Sequence, residues 1–174
     1  MPRTRPDYAT PPCSIILGYM KYQTDIEKMK IALDQAQLAY ELNEVPVGAV
    51  LINDNNGSIL SIKHNEVNIH NSPLKHAEIL VIEKACILKK SRYLANTSIY
   101  VTLEPCAMCA AAISEARINR IYFGAYDEKK GAIESGVRIF NNSNYFVPEI
   151  YGGIKEQECS LLLKNYFYTI RKSL

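Results

Sequence analysis

The amino-acid sequence predicts an α/β domain in which helices are layered on a mixed, five-stranded sheet. Three observations carry that prediction. Helical and extended apolar segments alternate along the chain, the extended runs are short and rich in Val, Ile and Tyr, and turn residues separate them. With 174 residues, 48% of them hydrophobic and 22% charged, the chain has the composition of one globular domain rather than of a disordered segment.

The elements follow in order. Four of the eight prolines, Pro2, Pro6, Pro11 and Pro12, fall in the first twelve residues, so residues 1–23 read as an irregular tail. A start at Met20 fits that segment as well as a functional tail does, and Asp7 with the prolines argues against a basic targeting peptide. The remainder, residues 24–174, reads as a single domain without internal repeat. It opens with a capping box, Thr24-Asp25-Ile26-Glu27, in front of a helix whose buried stripe is expected at Ile26, Met29, Leu33, Ala36 and Tyr40. Gly48 to Asn53 predicts a strand, Asp54-Asn55-Asn56-Gly57 a hairpin turn, and Ser58 to Asn65 the returning strand. A loop with Asn71, Ser72 and Pro73 leads to a helix over His76 to Lys89. Ser98 to Thr102 is a third strand, Cys106 to Arg117 an alanine-rich helix begun near Pro105, and Arg120 to Gly124 a fourth strand. Val147 to Tyr151 forms a fifth strand, and a closing helix runs from Lys155 to Lys172.

Charge and cysteines narrow the function. A formal net charge of +2 is too small to identify a nucleic-acid binder, and only local clusters remain, Lys89, Lys90 and Arg92, or Lys129 and Lys130. Five cysteines, Cys13, Cys86, Cys106, Cys109 and Cys159, form no secreted disulfide framework. Cys106 and Cys109 instead make a C-x-x-C pair of the metal or redox kind. Ser14 to Leu17 is too short for a signal-peptide core and no run reaches membrane-span length, so a soluble, cytoplasmic protein is expected.

Two short motifs carry chemistry: His76-Ala77-Glu78 and Pro105-Cys106-Ala107-Met108-Cys109. Each stands at the start of a predicted helix. Cys106 and Cys109, three residues apart, face one side of the first turn, where the helix dipole favours thiolates. If the two helix starts meet, one imidazole and two thiolates form a nitrogen–sulfur set suited to Zn²⁺, one ion per chain. Three protein ligands leave the fourth position for water, the pattern of a catalytic zinc. Glu78, two residues after His76, lies close enough to move that water's proton without ligating the metal. Each motif alone is weak; together, in this order, they match the signature of zinc nucleobase deaminases.

The segments Glu44-Val45-Pro46-Val47-Gly48-Ala49-Val50, His76-Ala77-Glu78-Ile79 and Tyr100-Val101-Thr102-Leu103-Glu104-Pro105-Cys106-Ala107-Met108-Cys109 resemble those of bacterial tRNA-specific adenosine deaminases. So do Phe123-Gly124-Ala125, Asp127 and Gly131-Ala132. The resemblance runs from about Thr24 to the C-terminus. It implies the three-layer α/β/α cytidine-deaminase-like fold, a homodimer, and conversion of the wobble adenosine in a tRNA anticodon stem-loop to inosine. It also places Asn65 at the asparagine that hydrogen-bonds the target nucleotide, against the plainer reading of a strand-end side chain serving the backbone. Two departures stand out. Ala111 replaces a frequent glycine, and Tyr126 an arginine common beside Asp127, which puts the RNA contacts around Asp127 in question.

Other candidates have competing readings. His64 and His70 fit surface or turn positions better than ligation. Cys86 and Cys159 fit apolar helix faces. Glu104 either steadies the cysteine loop or places charge at a helix start. Tyr166, Phe167 and Tyr168 either stack on splayed bases or dock the last helix. Two other functions stay open on sequence: a deaminase of a free base or nucleoside such as cytosine, guanine or cytidine, and a non-catalytic zinc module or inactive partner subunit. The second conflicts with the three-ligand count and with Glu78.

Overall fold

The computed structural model describes residues 24–142 and 144–173; the N-terminal tail, with Cys13 and Met20, lies outside them. The order is α1 (Asp25–Glu41), β1 (Gly48–Asn53), β2 (Ile59–His64), α2 (Val67–His70), α3 (Ala77–Lys89), β3 (Thr97–Leu103), α4 (Ala107–Glu115), β4 (Arg120–Ala125), β5 (Glu149–Tyr151) and α5 (Glu156–Ser173). The strands form one sheet ordered β2-β1-β3-β4-β5. β1 runs antiparallel to β2 and β3, while β3–β4 and β4–β5 are parallel. This is the mixed five-stranded sheet the sequence predicts.

The sheet is covered on both faces, and the strands' period of two divides the core. Ala49, Leu51, Ile99, Val101, Ile121 and Phe123 pack with Ala77, Val81, Ala110 and Ile113 of α3 and α4. Val50, Ile52 and Tyr100 point the other way, to Met29 and Ala32 of α1 and Cys159 of α5. Three layers, α/β/α, result.

The capping box is present: Glu27 N donates to Thr24 Oγ1 at 3.2 Å and Thr24 N to Glu27 Oε2 at 3.1 Å. The expected stripe on α1 needs correction. Met29, Ala32, Ala36 and Ala39 are the buried residues, whereas Ile26 is 62% exposed. Small side chains are selected because α1 lies directly on β1. A Cβ at Gly48 would collide with the Ala32 carbonyl and the Ala36 amide, so the close approach itself requires glycine there.

Two further differences have local causes. α4 ends at Glu115 rather than Arg117, because Arg117 takes a left-handed conformation (φ 58°) and the Ala116 carbonyl turns away to accept from Leu94 N at 2.6 Å. The predicted loop before His76 contains the single turn of α2, stopped by left-handed Asn71 (φ 47°). On the α1 and α5 face, the rings of Tyr100, Tyr122 and Tyr151, side by side on β3, β4 and β5, stack at 4.3 and 4.7 Å.

Candidate active site

The two chemistry-bearing motifs occupy equivalent positions. His76 is the N-cap of α3 (φ −70°, ψ 150°) and Cys106 the N-cap of α4 (φ −72°, ψ 172°). Their carbonyls begin the helices, accepting from Leu80 N at 3.1 Å and Ala110 N at 2.9 Å. Neither side chain caps its own helix, which leaves both to face outward from the helix starts. Pro105 therefore precedes the cap instead of opening the first turn. The bridge between Cys106 and Gly131 fixes the cysteine end against the following loop.

The side chains converge. His76 Nδ1 is 3.7 Å from Cys106 Sγ and 3.4 Å from Cys109 Sγ, and one donor atom from each of the three lies within 4.8 Å of the others. Tetrahedral zinc with ordinary Zn–N and Zn–S bonds requires nitrogen–sulfur separations of about 3.6 Å. The donor set fits zinc in both chemistry and spacing. Among the described residues no fourth protein donor joins this group, as an open, catalytic zinc position demands.

The electrostatics favour a thiolate. The Cys106 thiol is drawn down to about 4, chiefly by the hydrogen bond from Cys109, and the His76 ring adds to this against the opposing effect of burial. Cys109, the donor in that bond and itself buried, is pushed up. His76 is raised by its bond to Cys106. Zinc has only to displace protons from groups already polarised toward one another.

Glu78 stands in the first turn of α3, 4% exposed, and burial raises its carboxyl above the usual range. Asn65 follows β2 and is 5% exposed; its backbone N donates to the Val47 carbonyl at 2.9 Å. Its neighbour Glu66 donates through N to the carbonyl of Lys75, the residue before His76, at 2.9 Å. Asn65 is thereby tied to the His76 end of α3.

Two acidic residues organise these surroundings. Glu104, 2% exposed, accepts through Oε1 from the amides of Ile133, Glu134 and Ser135 at 2.8–3.1 Å. Through Oε2 it accepts from Asp127 N and Ser135 Oγ at 3.1 and 2.7 Å. Burial alone would raise its carboxyl, but these donors hold it below the usual range. Glu104 thus acts on the cysteine end through the following loop, which the Cys106–Gly131 bridge and the bond from Ala132 N to the Pro105 carbonyl join to it. It is the nucleus of the loop between β4 and the short 3₁₀ turn Ile139–Asn141, and Gly131 is required there because a Cβ would strike the Glu104 carboxyl group. The second residue, Glu44, is completely buried and bonded to both Asn65 and α2. Sequence reasoning missed it. An acidic residue directly before the apolar run into β1 was the available signal.

The remaining candidates fall outside the site. His64 Nδ1 pairs with Gln35 Oε1 at 3.3 Å, and His70 Nε2 with Glu66 Oε2 at 2.8 Å. Cys159 is buried in the core and Cys86 packs partly buried against it. Of the terminal aromatics, Tyr166 is buried and donates its hydroxyl to the Asn43 carbonyl, while Phe167 and Tyr168 are 44% and 59% exposed. Tyr126 packs edge-on against Phe123, with ring centroids 5.0 Å apart.

Comparison with known proteins agrees with this geometry. Residues 22–125 match the cytidine and deoxycytidylate deaminase zinc-binding region. The chain is 49% identical over 144 residues to a tRNA-specific adenosine deaminase of Rickettsia bellii, covering 82% of this chain and 99% of that protein. It is similar to a structure solved in work on A-to-I editing by tRNA:A34 deaminases at the wobble position (46% identity, TM-score 0.76, 79% of this chain and 99% of that one). A guanine deaminase from Nitrosomonas europaea shares the fold at 16% identity (TM-score 0.73, 83% of this chain and 85% of that one). The chain belongs to the zinc-binding cytidine and deoxycytidylate deaminase family, among its tRNA-specific adenosine deaminases.

Proposed function

We propose that the chain hydrolyses the wobble adenosine of a tRNA anticodon to inosine and ammonia, in the cytoplasm and as a homodimer, with residues 24–174 as the deaminase domain. The convergence of His76, Cys106 and Cys109 at two facing helix starts, with Glu78 buried beside them, carries this reading. His76, Cys106 and Cys109 hold one zinc ion. Bound zinc supplies a water acidic enough to react near neutral pH. The Glu78 carboxylate takes a proton from the attacking water and delivers it to the ring nitrogen beside C6. It then takes the proton of the new C6 hydroxyl and passes it to the amino group, so that the C6–N bond breaks, ammonia leaves and the C6 carbonyl of inosine remains. The raised Glu78 carboxyl suits a group that must both accept and give up that proton near neutral pH. Asn65 binds the target nucleotide. Exposed Phe167 and Tyr168 offer faces on which unpaired anticodon bases stack.

Pairing with a second copy is placed at a groove of about 400 Å³ between α3 and α4, where Ile79, Ile82, Tyr93, Ala112 and Ala116 are flanked by Glu83, Arg92 and Glu115. Light scattering at micromolar concentration tests this, and a monomer would rule it out. No helix among the described residues is long and apolar enough to cross a membrane. A free-base deaminase would share the zinc chemistry, but the likeness to guanine deaminase at 16% identity speaks for the fold alone. Incubating zinc-loaded protein with tRNA, beside a panel of free bases and nucleosides, decides the matter. Inosine at the wobble position is expected, and turnover of a free base alone would reverse the conclusion.

A further inference from the structure

We propose that Glu44 is a positioning residue that fixes which end of the Asn65 amide meets the substrate. The inference rests on the tRNA adenosine deaminase reading and concerns a residue with no part in the zinc site. Glu44 is completely buried, and both its oxygens accept: Oε1 from Ile69 N at 2.7 Å and Oε2 from Asn65 Nδ2 at 3.0 Å. An asparagine amide has a donor end and an acceptor end, and a carboxylate can only accept. The NH₂ of Asn65 must therefore turn inward to Glu44. Asn65 Oδ1 is left with no hydrogen bond from the described residues. It is also absent from their buried unpaired side-chain atoms, a set that holds only Ser61 Oγ, so it opens to accessible space. Glu44 thus leaves Asn65 Oδ1, an acceptor, as the atom that faces accessible space, and the group that meets that oxygen on the target nucleotide is an O–H or N–H donor.

Glu44→Gln inverts this arrangement without dismantling it. The glutamine carbonyl still accepts from Ile69 N, so its NH₂ faces Asn65. Asn65 must then turn its oxygen inward and its NH₂ toward the substrate. Every internal bond has a counterpart, while the polarity offered to RNA is reversed. On an anticodon stem-loop RNA, KM is expected to rise roughly tenfold with kcat within about twofold, the size of one lost hydrogen bond to substrate. The melting temperature is expected to stay within about 3 °C of wild type, since the internal bonds are conserved. In the Asn65→Ala background the same substitution adds nothing to KM, because its route of action is gone. Glu44→Asp, acceptor-only like the native residue, restores KM toward wild type. An RNA lacking the 2′-hydroxyl on the target nucleotide identifies the donor. A ribose hydroxyl is the donor if Glu44→Gln adds no loss on that RNA, and an N–H if its effect persists in full. Unchanged KM in Glu44→Gln, or an equal KM increase with Asn65 present and absent, overturns the proposal. Should Glu44→Gln unfold, Glu44→Asp with raised KM and normal melting overturns it as well. Absence of inosine with the wild-type protein would instead defeat the functional reading itself.

Discussion

Replacing Glu104 by glutamine tests how far one carboxylate holds the loop beside the zinc site. The substitution is nearly isosteric, so its effect is read in hydrogen bonds. The glutamine oxygen takes over the three amides of Ile133, Glu134 and Ser135, and its NH₂ replaces the oxygen that served Asp127 N and Ser135 Oγ. The Ser135 hydroxyl can rotate and accept. Asp127 N–H cannot, and it is left facing another donor. One unpaired amide costs about 1–3 kcal/mol, and three surviving bonds lose the strengthening of a charged acceptor. The sum is about 2–4 kcal/mol, or roughly 5–15 °C in melting temperature for a chain of this size. Urea unfolding of the zinc-loaded protein measures it, with scanning calorimetry as a second reading. Zinc is expected to remain at one per chain, since Glu104 is no ligand. A loss below about 0.5 kcal/mol would refute the argument and show that the loop is held by something else.

Three further outcomes are expected. Glu78→Ala keeps its zinc by elemental analysis while deamination falls by about 10²–10⁴-fold or more in single turnover; loss of zinc would make the carboxylate a ligand. Cys106→Ala loses the metal and, because the site joins the starts of α3 and α4, melts at lower temperature than wild type; retention of stoichiometric zinc would contradict the ligand set. Gly48→Ala forces α1 away from β1 and destabilises by about 1–3 kcal/mol, and unchanged urea unfolding would show that the contact is softer than described.

The legible part of this protein was the part written in local pattern. Alternation of short apolar runs with helical periodicity gave the strand and helix order, and Thr24 with Glu27 marked the first helix start because capping is a contact between near neighbours. His76, Glu78, Cys106 and Cys109 were readable because they come in two clusters of short spacing at helix starts. The α1 stripe was misread because its alanines answer to Gly48, which is distant in sequence. Glu44 was missed for a similar reason, since its partners Asn65 and Ile69 lie more than twenty residues on. Glu104 was noticed, but its five donors come from a loop whose path no periodicity reveals.

The tyrosine stack across β3, β4 and β5 has an optical consequence. The chain contains twelve tyrosines and no tryptophan, so apart from the weak bands of its four phenylalanines its near-ultraviolet spectrum belongs to tyrosine. Rings held face to face within 5 Å, at interplanar angles of 7° and 14°, couple their transitions. The Tyr100 hydroxyl is further immobilised by donating to Asp25 at 2.6 Å, and burial first, Asp25 second, raises its pKa and keeps it protonated. β5 is only three residues long and its Tyr151 is 42% exposed. Detachment of that strand would break the outer pair of rings and leave the inner pair intact. Near-ultraviolet circular dichroism can therefore follow the opening of this sheet edge without a label, separately from the loss of helix seen in the far ultraviolet.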